Sequence, residues 1–482
     1  MTMSTQAMRN REAFIREIGK ELEQENVAIF AGSGLSAPAG FVSWGGLLRP
    51  IARDLGLDVD KEHDLVTLAQ YHLNENVANR NQLNKRLIEE FSKSAEITEN
   101  HQILARLPIY TYWTTNYDKL IEKSLEATGK IPDVKYTKKH LSLTKPKRDA
   151  IVYKMHGDID HPDEAVLTKD DYESYHVKMD QFITALSGDL VSKTFIFIGF
   201  SFTDPNLDYI LSRVRVSYDK SQRTHYCFIK SISRDQGEED ADYSYRVRKQ
   251  ELFCGDLNRF NIKAILVDNY SDITEILKMI ERKNRQKSIF ISGAAHEYGA
   301  WGSEEAQNFI HNLSQDIIKA NYKIVSGFGL GVGSAVISGS LEQIYMNPRS
   351  SKVDQLVLRP FPQNVFGKID RKEVWRRYRK DMISYAGVAI FLFGNKIQDG
   401  SVVKSDGMRQ EFDIAKESGL VLLPIGATGY VSQELWGEAK EDVQRVFDGC
   451  QEILDLYDLI GDRRTSPDQI IKSIICLLSK LN

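Results

Sequence analysis

Residues 27–31 read VAIFA, and the chain passes from this run straight into Gly32-Ser33-Gly34 and a string of small residues, LSAPAG. A segment this short and this apolar fits a strand buried on both faces, as in parallel sheets covered by helices. Glycines at its exit allow a sharp turn into a helix and the close approach of a neighbour, and such a turn presents N–H groups to phosphate. The feature points to an α/β fold, with a nucleotide as the first ligand to consider.

The rest of the chain repeats the pattern. Strand-like runs rich in β-branched and aromatic residues recur at IYTYW (109–113), AIVYKM (150–155), TFIFIG (194–199), HYCFIK (225–230) and KAILV (263–267). Helical stretches separate several of them, which predicts a mostly parallel sheet. A helix is expected at 9–24, and from 60 to 107 apolar residues recur only at helical spacing, so that this region reads as a helical insertion. Near 276–287 the text turns polar and basic, ILKMIERKNRQK, and a new strand, SIFIS, begins at 288. The expected division is therefore 1–283 and 284–482. The second part alternates again: helix 304–320, strand YKIVS, glycine loop, helix 334–346, strand QLVLRP, helix 371–384, strand VAIFLF (388–393), helix 407–418 and strand LVLLPIG (420–426). The predicted fold class is α/β, with two Rossmann-like doubly wound domains.

Composition narrows the function. Lys plus Arg number 63 against 67 Asp plus Glu, a net charge of −4, so nothing global attracts nucleic acid or an anionic membrane. The four cysteines, Cys227, Cys254, Cys450 and Cys476, form no C-x-x-C pair, and neither a zinc site nor a disulfide framework is expected. The start, MTMSTQAMRNREAF, lacks the apolar core of a signal peptide, and a cytoplasmic protein without metal is the expectation.

Gly32, Gly34 and Ala37 fit the loose G-x-G-x-x-A form of a dinucleotide turn. A hydride-transfer enzyme would also carry an acid at the end of the next strand; Asp54 has the spacing but lies in ARDLGLD, which reads as a helix end, so a dehydrogenase is disfavoured. Three more strand ends carry polar or glycine residues: Asn116 and Asp118 in YWTTNYDKL, His156 in VYKMHGDID, and Gly199 and Ser201 in FIFIGFSFTDPNL. Carboxyl ends of parallel strands share one rim, where these groups converge. Asp204 reads as a helix cap, with Pro205 at the first helical position.

GSGLSAPAG, TTNYD, KMHGD and GFS, in that order and at strand ends, resemble the sirtuins over residues 20–270. The resemblance implies that Gly32, Ser33, Gly34 and Ser36 hold the NAD pyrophosphate with Ala31 also in the cofactor site, that Asn116 orients the nicotinamide ribose and Asp118 the carboxamide, that His156 is the base, and that Gly199 and Ser201 lie toward the adenosine. The chemistry is consistent: nicotinamide in NAD is a cationic leaving group, so cleaving its bond to ribose needs no acid, and an amide to place a hydroxyl or water with an imidazole to take its proton is enough. The two Cys pairs of the deacylating sirtuins' zinc module are missing. That departure favours water as acceptor, hence an NAD hydrolase, over a protein deacylase. A nucleotide-binding signalling module without turnover is the alternative from another class.

The second part has its own glycine run, IVSGFGLGVGSAVISG, with Gly327, Gly329, Gly331 and Gly333 at alternate positions, and an earlier turn at Ser292-Gly293. Downstream, RKEVWRRYRKDM carries Arg379, the exit of VAIFLF brings Lys396, and MRQEF brings Glu411, a partner for ribose hydroxyls. This part resembles the SLOG family of nucleotide-messenger sensors over residues 287–430. The resemblance implies an activator, a cyclic ADP-ribose isomer made by a TIR-domain protein, held by Ser292, Gly293, Gly329, Gly331, Gly333, Arg379, Lys396 and Glu411. Sirtuin followed by SLOG resembles the effectors of bacterial Thoeris anti-phage systems, which further implies a homotetramer.

Overall fold

The computed structural model describes residues 5–77, 79–218, 223–361, 371–446 and 450–481. The chain divides into two compact units, Met1–Glu281 and Arg282–Asn482.

In the first unit the strands are β1 (Val27–Ala31), β2 (Thr111–Thr114), β3 (Pro132–Lys135), β4 (Ala150–Lys154), β5 (Thr194–Ile198), β6 (His225–Lys230) and β7 (Ile262–Val267). They form one sheet in the order β3-β4-β2-β1-β5-β6-β7, and every pairing is parallel. The apolar sequence of β1 follows from its central place: Val27, Ile29 and Ala31 enter the core on one face, beside Phe14 and Ile18, while Ala28 and Phe30 enter the other, beside Trp113 and Phe182. A strand with alternate residues in two cores has no face left for polar side chains. The strand β3, PDVK, escapes a reading by hydrophobicity because this sheet edge buries an ion pair: Lys135 Nζ lies 2.8 Å from Asp133 Oδ1, with Arg148 at 3.1 Å from Oδ2.

Helices Trp44–Asp54, Leu65–Glu75 and Asn81–Phe91 bury Leu47, Ile51, Leu68, Leu83 and Leu87 in a small separate core that also takes Tyr117 and Ile159 from loops of the sheet. The part of the expected 60–107 insertion up to Phe91 thus joins helix Trp44–Asp54 in a helical layer anchored to the loops beyond β2 and β4, while its last helix, Glu99–Arg106, puts Ile103 and Leu104 into the core beside β1. Asp64 starts the layer's second helix by accepting Thr67 N–H at 3.0 Å.

The second unit has β8 (Ser288–Ala294), β9 (Lys323–Ser326), β10 (Leu356–Leu358), β11 (Val388–Phe393), β12 (Asn395–Gln398), β13 (Ser401–Lys404) and β14 (Val421–Pro424). The parallel sheet runs β10-β9-β8-β11-β14, and β12 and β13 form an antiparallel hairpin that the sequence reading does not anticipate. Helices Tyr430–Val446, Gln451–Gly461 and Pro467–Leu481 complete it, the last one seating Ile470, Ile474 and Leu477 in the core. Both units are α/β with parallel sheets, as the alternation of runs predicts. No helix among the described residues is long and apolar enough to cross a membrane.

In each sheet the chain builds outward on one side and then returns to the other side of its first strand: β2 and β5 flank β1, and β9 and β11 flank β8. Such reversals open a crevice at the carboxyl ends of the central strands.

Candidate active site and the second glycine-rich site

The crevice of the first unit is a cleft of about 540 Å³. Its walls include Ser33, Ser36, Asn116, Asp118, His156, Gly199 and Ser201, brought together from the ends of β1, β2, β4 and β5. Ala31, Gly32 and Gly34 stand behind the wall. Ala31 is fully buried, its carbonyl taken by the Thr114 hydroxyl at 3.0 Å. The amides of Gly32 and Gly34 donate to the carbonyls of Ile198 and Gly199, each at 2.9 Å. A Cβ on Gly32 would sit 2.3 Å from Gly199 O, and one on Gly199, whose φ is +65°, 2.2 Å from Leu35 N. The closest neighbour of this glycine turn is therefore another turn of the same chain, and two of the N–H groups expected for phosphate are spent on that contact. Ser33 and Ser36 stand on the wall of the cleft.

Asn116 is 8% exposed and held from three sides. Its backbone N–H donates to Thr114 Oγ1 at 2.9 Å, and Nδ2 donates to Gly32 O at 3.0 Å and Ser36 Oγ at 3.1 Å. With its NH₂ group engaged, the amide keeps its oxygen as the acceptor for a hydroxyl or water. Asp118 Oδ1 accepts Leu120 N–H at 2.9 Å, while Oδ2 is buried without a partner, a group suited to an amide donor on a ligand.

Two residues that the strand-end reading does not bring forward shape the site. Lys154, the last residue of β4, is 0% exposed, and its Nζ donates to the carbonyls of Tyr117 and Asp118 at 3.1 and 2.6 Å, to Glu122 at 3.0 Å and to Asp158 at 2.5 Å. Burial pulls its pKa down, but Glu122, Asp158 and Asp118 outweigh that and hold the ammonium above its ordinary range. A lysine in an otherwise apolar strand is the sequence signal for it. Asp204 caps helix Pro205–Tyr218, as read, with Oδ1 accepting Leu207 N–H at 2.9 Å; its other oxygen lies 3.2 Å from His156 Nε2. His156 itself is 3% exposed, with Tyr172 and Tyr175 edge-on to its ring.

The helical layer roofs the cleft with Phe41–Gly45, Leu47, His63–Val66 and Phe91. Hydrophobic patterning identifies those helices but not the side of the sheet they cover.

In the second unit Ser292 ends the buried part of β8 and donates to Glu411 Oε2 at 2.6 Å. Glu411 Oε1 faces Arg379 Nε at 3.3 Å, and Arg379 Nη1 donates to Gln410 at 3.0 Å. The Arg379 guanidinium lies over the Phe361 ring, 4.9 Å from its centre. Lys396 pairs with Asp406, one turn before Gln410 on helix Asp406–Glu417. One helix thus gathers Ser292, Arg379 and Lys396. Burial pushes the Glu411 carboxyl up, against the opposing pull of Ser292 and Arg379. The glycine loop packs backbone on backbone: a Cβ on Gly329 would meet Gly293 O at 1.8 Å, one on Gly331 would meet Ala295 O at 1.9 Å, and one on Gly333 would meet the Phe328 ring at 2.7 Å. Cavities of about 480 and 400 Å³ in this unit are lined by Trp301 and its neighbours, and none of the eight sequence-assigned ligand residues is on their walls.

A seven-stranded sheet with a glycine turn, an Asn-x-Asp loop and a His-Gly loop on one cleft, followed by a separate five-stranded sheet with its own glycine loop, defines a sirtuin-like unit joined to a SLOG unit. Family models agree: residues 110–249 match the SIR2-like domain, and residues 272–481 match the Sir2- and TIR-associating SLOG family. The chain is 56% identical over 465 residues to the NAD(+) hydrolase ThsA of Bacillus cereus (strain MSX-D12), covering 96% of this chain and 97% of that protein. It is 49% identical to proteins of the same name from Acinetobacter baumannii (strain 532279), over 96% of this chain and 98% of that one, and Cytobacillus dafuensis, over 98% and 97%. It belongs to the ThsA family.

Proposed function

We propose that this chain hydrolyses NAD+ to nicotinamide and ADP-ribose in its first unit, with water as acceptor. The observation that carries the reading is the meeting of Asn116 and His156, from the ends of neighbouring strands β2 and β4, on one cleft roofed by the helical layer. Relatives named NAD(+) hydrolase support it. Ser33, Ser36, Gly199 and Ser201 bind the dinucleotide, and the free Asp118 oxygen receives the carboxamide N–H. The Asn116 oxygen orients the attacking water, and His156 takes its proton as the C1′–N bond breaks.

The second unit is proposed to bind a cyclic ADP-ribose isomer made by a TIR-domain protein, through Arg379, Lys396, Glu411, Ser292 and the glycine loop, and to raise turnover in a tetramer. The biological setting proposed is Thoeris anti-phage defence by loss of cytoplasmic NAD. Activation requires the ligand to bind the active arrangement more tightly than the resting one. The test is release of nicotinamide from NAD+ by purified protein, with and without the products of a TIR-domain enzyme. Turnover that appears only with those products supports both parts; intact NAD+ in both arms rejects the reading.

A further inference from the structure

Capping a helix occupies one carboxylate oxygen, yet Asp204 uses both. While Oδ1 takes the Leu207 N–H, Oδ2 stands 3.2 Å from His156 Nε2 and accepts the Tyr172 hydroxyl at 3.3 Å. The side chains of the pair are only 9% and 3% exposed, and His156 Nε2 has no other neighbour to bond. Burial pushes the Asp204 carboxyl up, but His156, the Leu207 amide and Tyr172 together outweigh it and hold the group below the usual carboxylate range. It is therefore ionised at neutral pH.

We propose that Asp204 is a positioning residue for His156, fixing the proton on Nε2 so that Nδ1 presents its lone pair to the cleft. The inference rests on the reading of His156 as the base. In the step it serves, a water O–H proton moves to Nδ1 while the water oxygen bonds to C1′ of the ribose. The C1′–N bond breaks and its electron pair leaves with nicotinamide. The imidazolium so formed carries a proton on each nitrogen and lies beside a fixed negative charge. The 3.2 Å approach is off the line of a hydrogen bond, and catalytic hydrogen bonds commonly tighten only in the transition-state complex.

Other groups around the ring leave this carboxylate in control. Tyr172 and Tyr175, from helix Lys169–Lys178, present their rings edge-on, and burial drives both phenols upward, so they are neutral. Tyr117, from the loop after β2, is likewise kept neutral by burial. Arg80 and Asp171 stand near Tyr117 but are paired with one another at 2.8 Å. The alignment uses a short sequence, TDPNL, whose evident role is to start a helix. That role hides the second one.

Asp204→Asn separates the two roles, since Asn caps a helix about as well as Asp but carries no charge. Asp204→Ser does the same with a smaller side chain. In the full chain, kcat and KM for nicotinamide release are measured from pH 5 to 9 under activating conditions, and the His156 ring is followed by NMR with ¹³C-labelled histidine, assigned with His156→Gln. The expected result is a melting temperature close to the parent's, a KM within about threefold, and a kcat lowered about 10- to 100-fold, the range of a weakened general base. The acid limb of the kcat profile and the His156 titration both move to lower pH. A parent-like kcat profile with an unmoved His156 titration in either variant overturns the proposal. If the parent protein itself releases no nicotinamide, the hydrolase reading fails, while the NMR titration still decides whether Asp204 governs the ring.

Discussion

Lys154 Nζ donates to the carbonyl of Asp118 at 2.6 Å, and by that bond the last residue of β4 fixes the loop that follows β2. Asn116 and Asp118 lie on that loop, and His156 is two residues beyond Lys154, so one buried ammonium sets the spacing of the candidate catalytic groups. Removing it would leave Glu122 and Asp158 buried against one another. Lys154→Met is expected to cost about 3–5 kcal/mol of stability, the penalty for breaking a buried ion pair from one side. Denaturant unfolding checks this, and adding Glu122→Gln and Asp158→Asn to the same chain should recover part of the loss.

Gly32 and Gly199 make a test of backbone packing. Gly199→Ala puts a Cβ within 2.2 Å of Leu35 N at a φ of +65°, and neither turn can retreat without moving β1 or β5. A loss of about 1–3 kcal/mol or more is expected from overpacking, together with loss of nicotinamide release. Gly188, inside helix Asp180–Ser192, has open space around it, and Gly188→Ala should be neutral or stabilising by up to about 1 kcal/mol. Melting temperatures of the two variants should therefore move in opposite directions or differ by several degrees.

Acid should weaken the first unit through His225. The ring is buried on β6, where Nδ1 accepts the Phe195 N–H at 3.1 Å, and burial, with a lesser push from Arg223, lowers its pKa from 6.5 to about 4. The folded state therefore takes up the proton later than the unfolded chain does. The stabilisation is present in full above pH 6.5 and is lost as the pH falls toward 4, a change of roughly 3 kcal/mol for a shift of this size. His225→Asn, which can still accept the amide, should flatten the fall between pH 6.5 and 4 in denaturant unfolding.

Asn116→Ala and His156→Ala should each reduce nicotinamide release at least about 100-fold, as expected for removal of a positioning group or a general base. Binding of the messenger, read by calorimetry, should be unchanged because neither residue belongs to the second unit.

Arg379→Ala should act at the other end. It frees Glu411 of its cation and removes the guanidinium from the Phe361 ring. The activator concentration for half-maximal nicotinamide release should rise about tenfold or more, the worth of a charge-assisted contact. Turnover at saturating activator should stay within about threefold of the parent, since the guanidinium is not part of the cleft proposed to cleave NAD+.

Local pattern made much of this molecule readable from its text. The apolar runs of β1, β5, β8 and β11 declare central strands because residues on both faces must be apolar, and the glycines after β1 and β9 declare tight turns because a side chain there would collide with backbone. Asn116, Asp118, His156, Gly199 and Ser201 could be placed on one rim because parallel strands all end at the same edge. What the text could not hold was who stands beside whom. Strand β3 reads as polar although its edge is buried, because Asp133 is paired both with Lys135 beside it on the strand and with Arg148 from the segment that leads into β4. Gly32 and Gly34 look like phosphate binders until Gly199 is found against them, and Asp204 looks like a cap until His156 is found at its second oxygen. A residue's backbone preference acts over a few neighbours and is written in order along the chain; its hydrogen-bond and charge partners can stand far off in sequence, as Gly199 does from Gly34 and Glu411 from Ser292, and only the folded sheet brings them within reach.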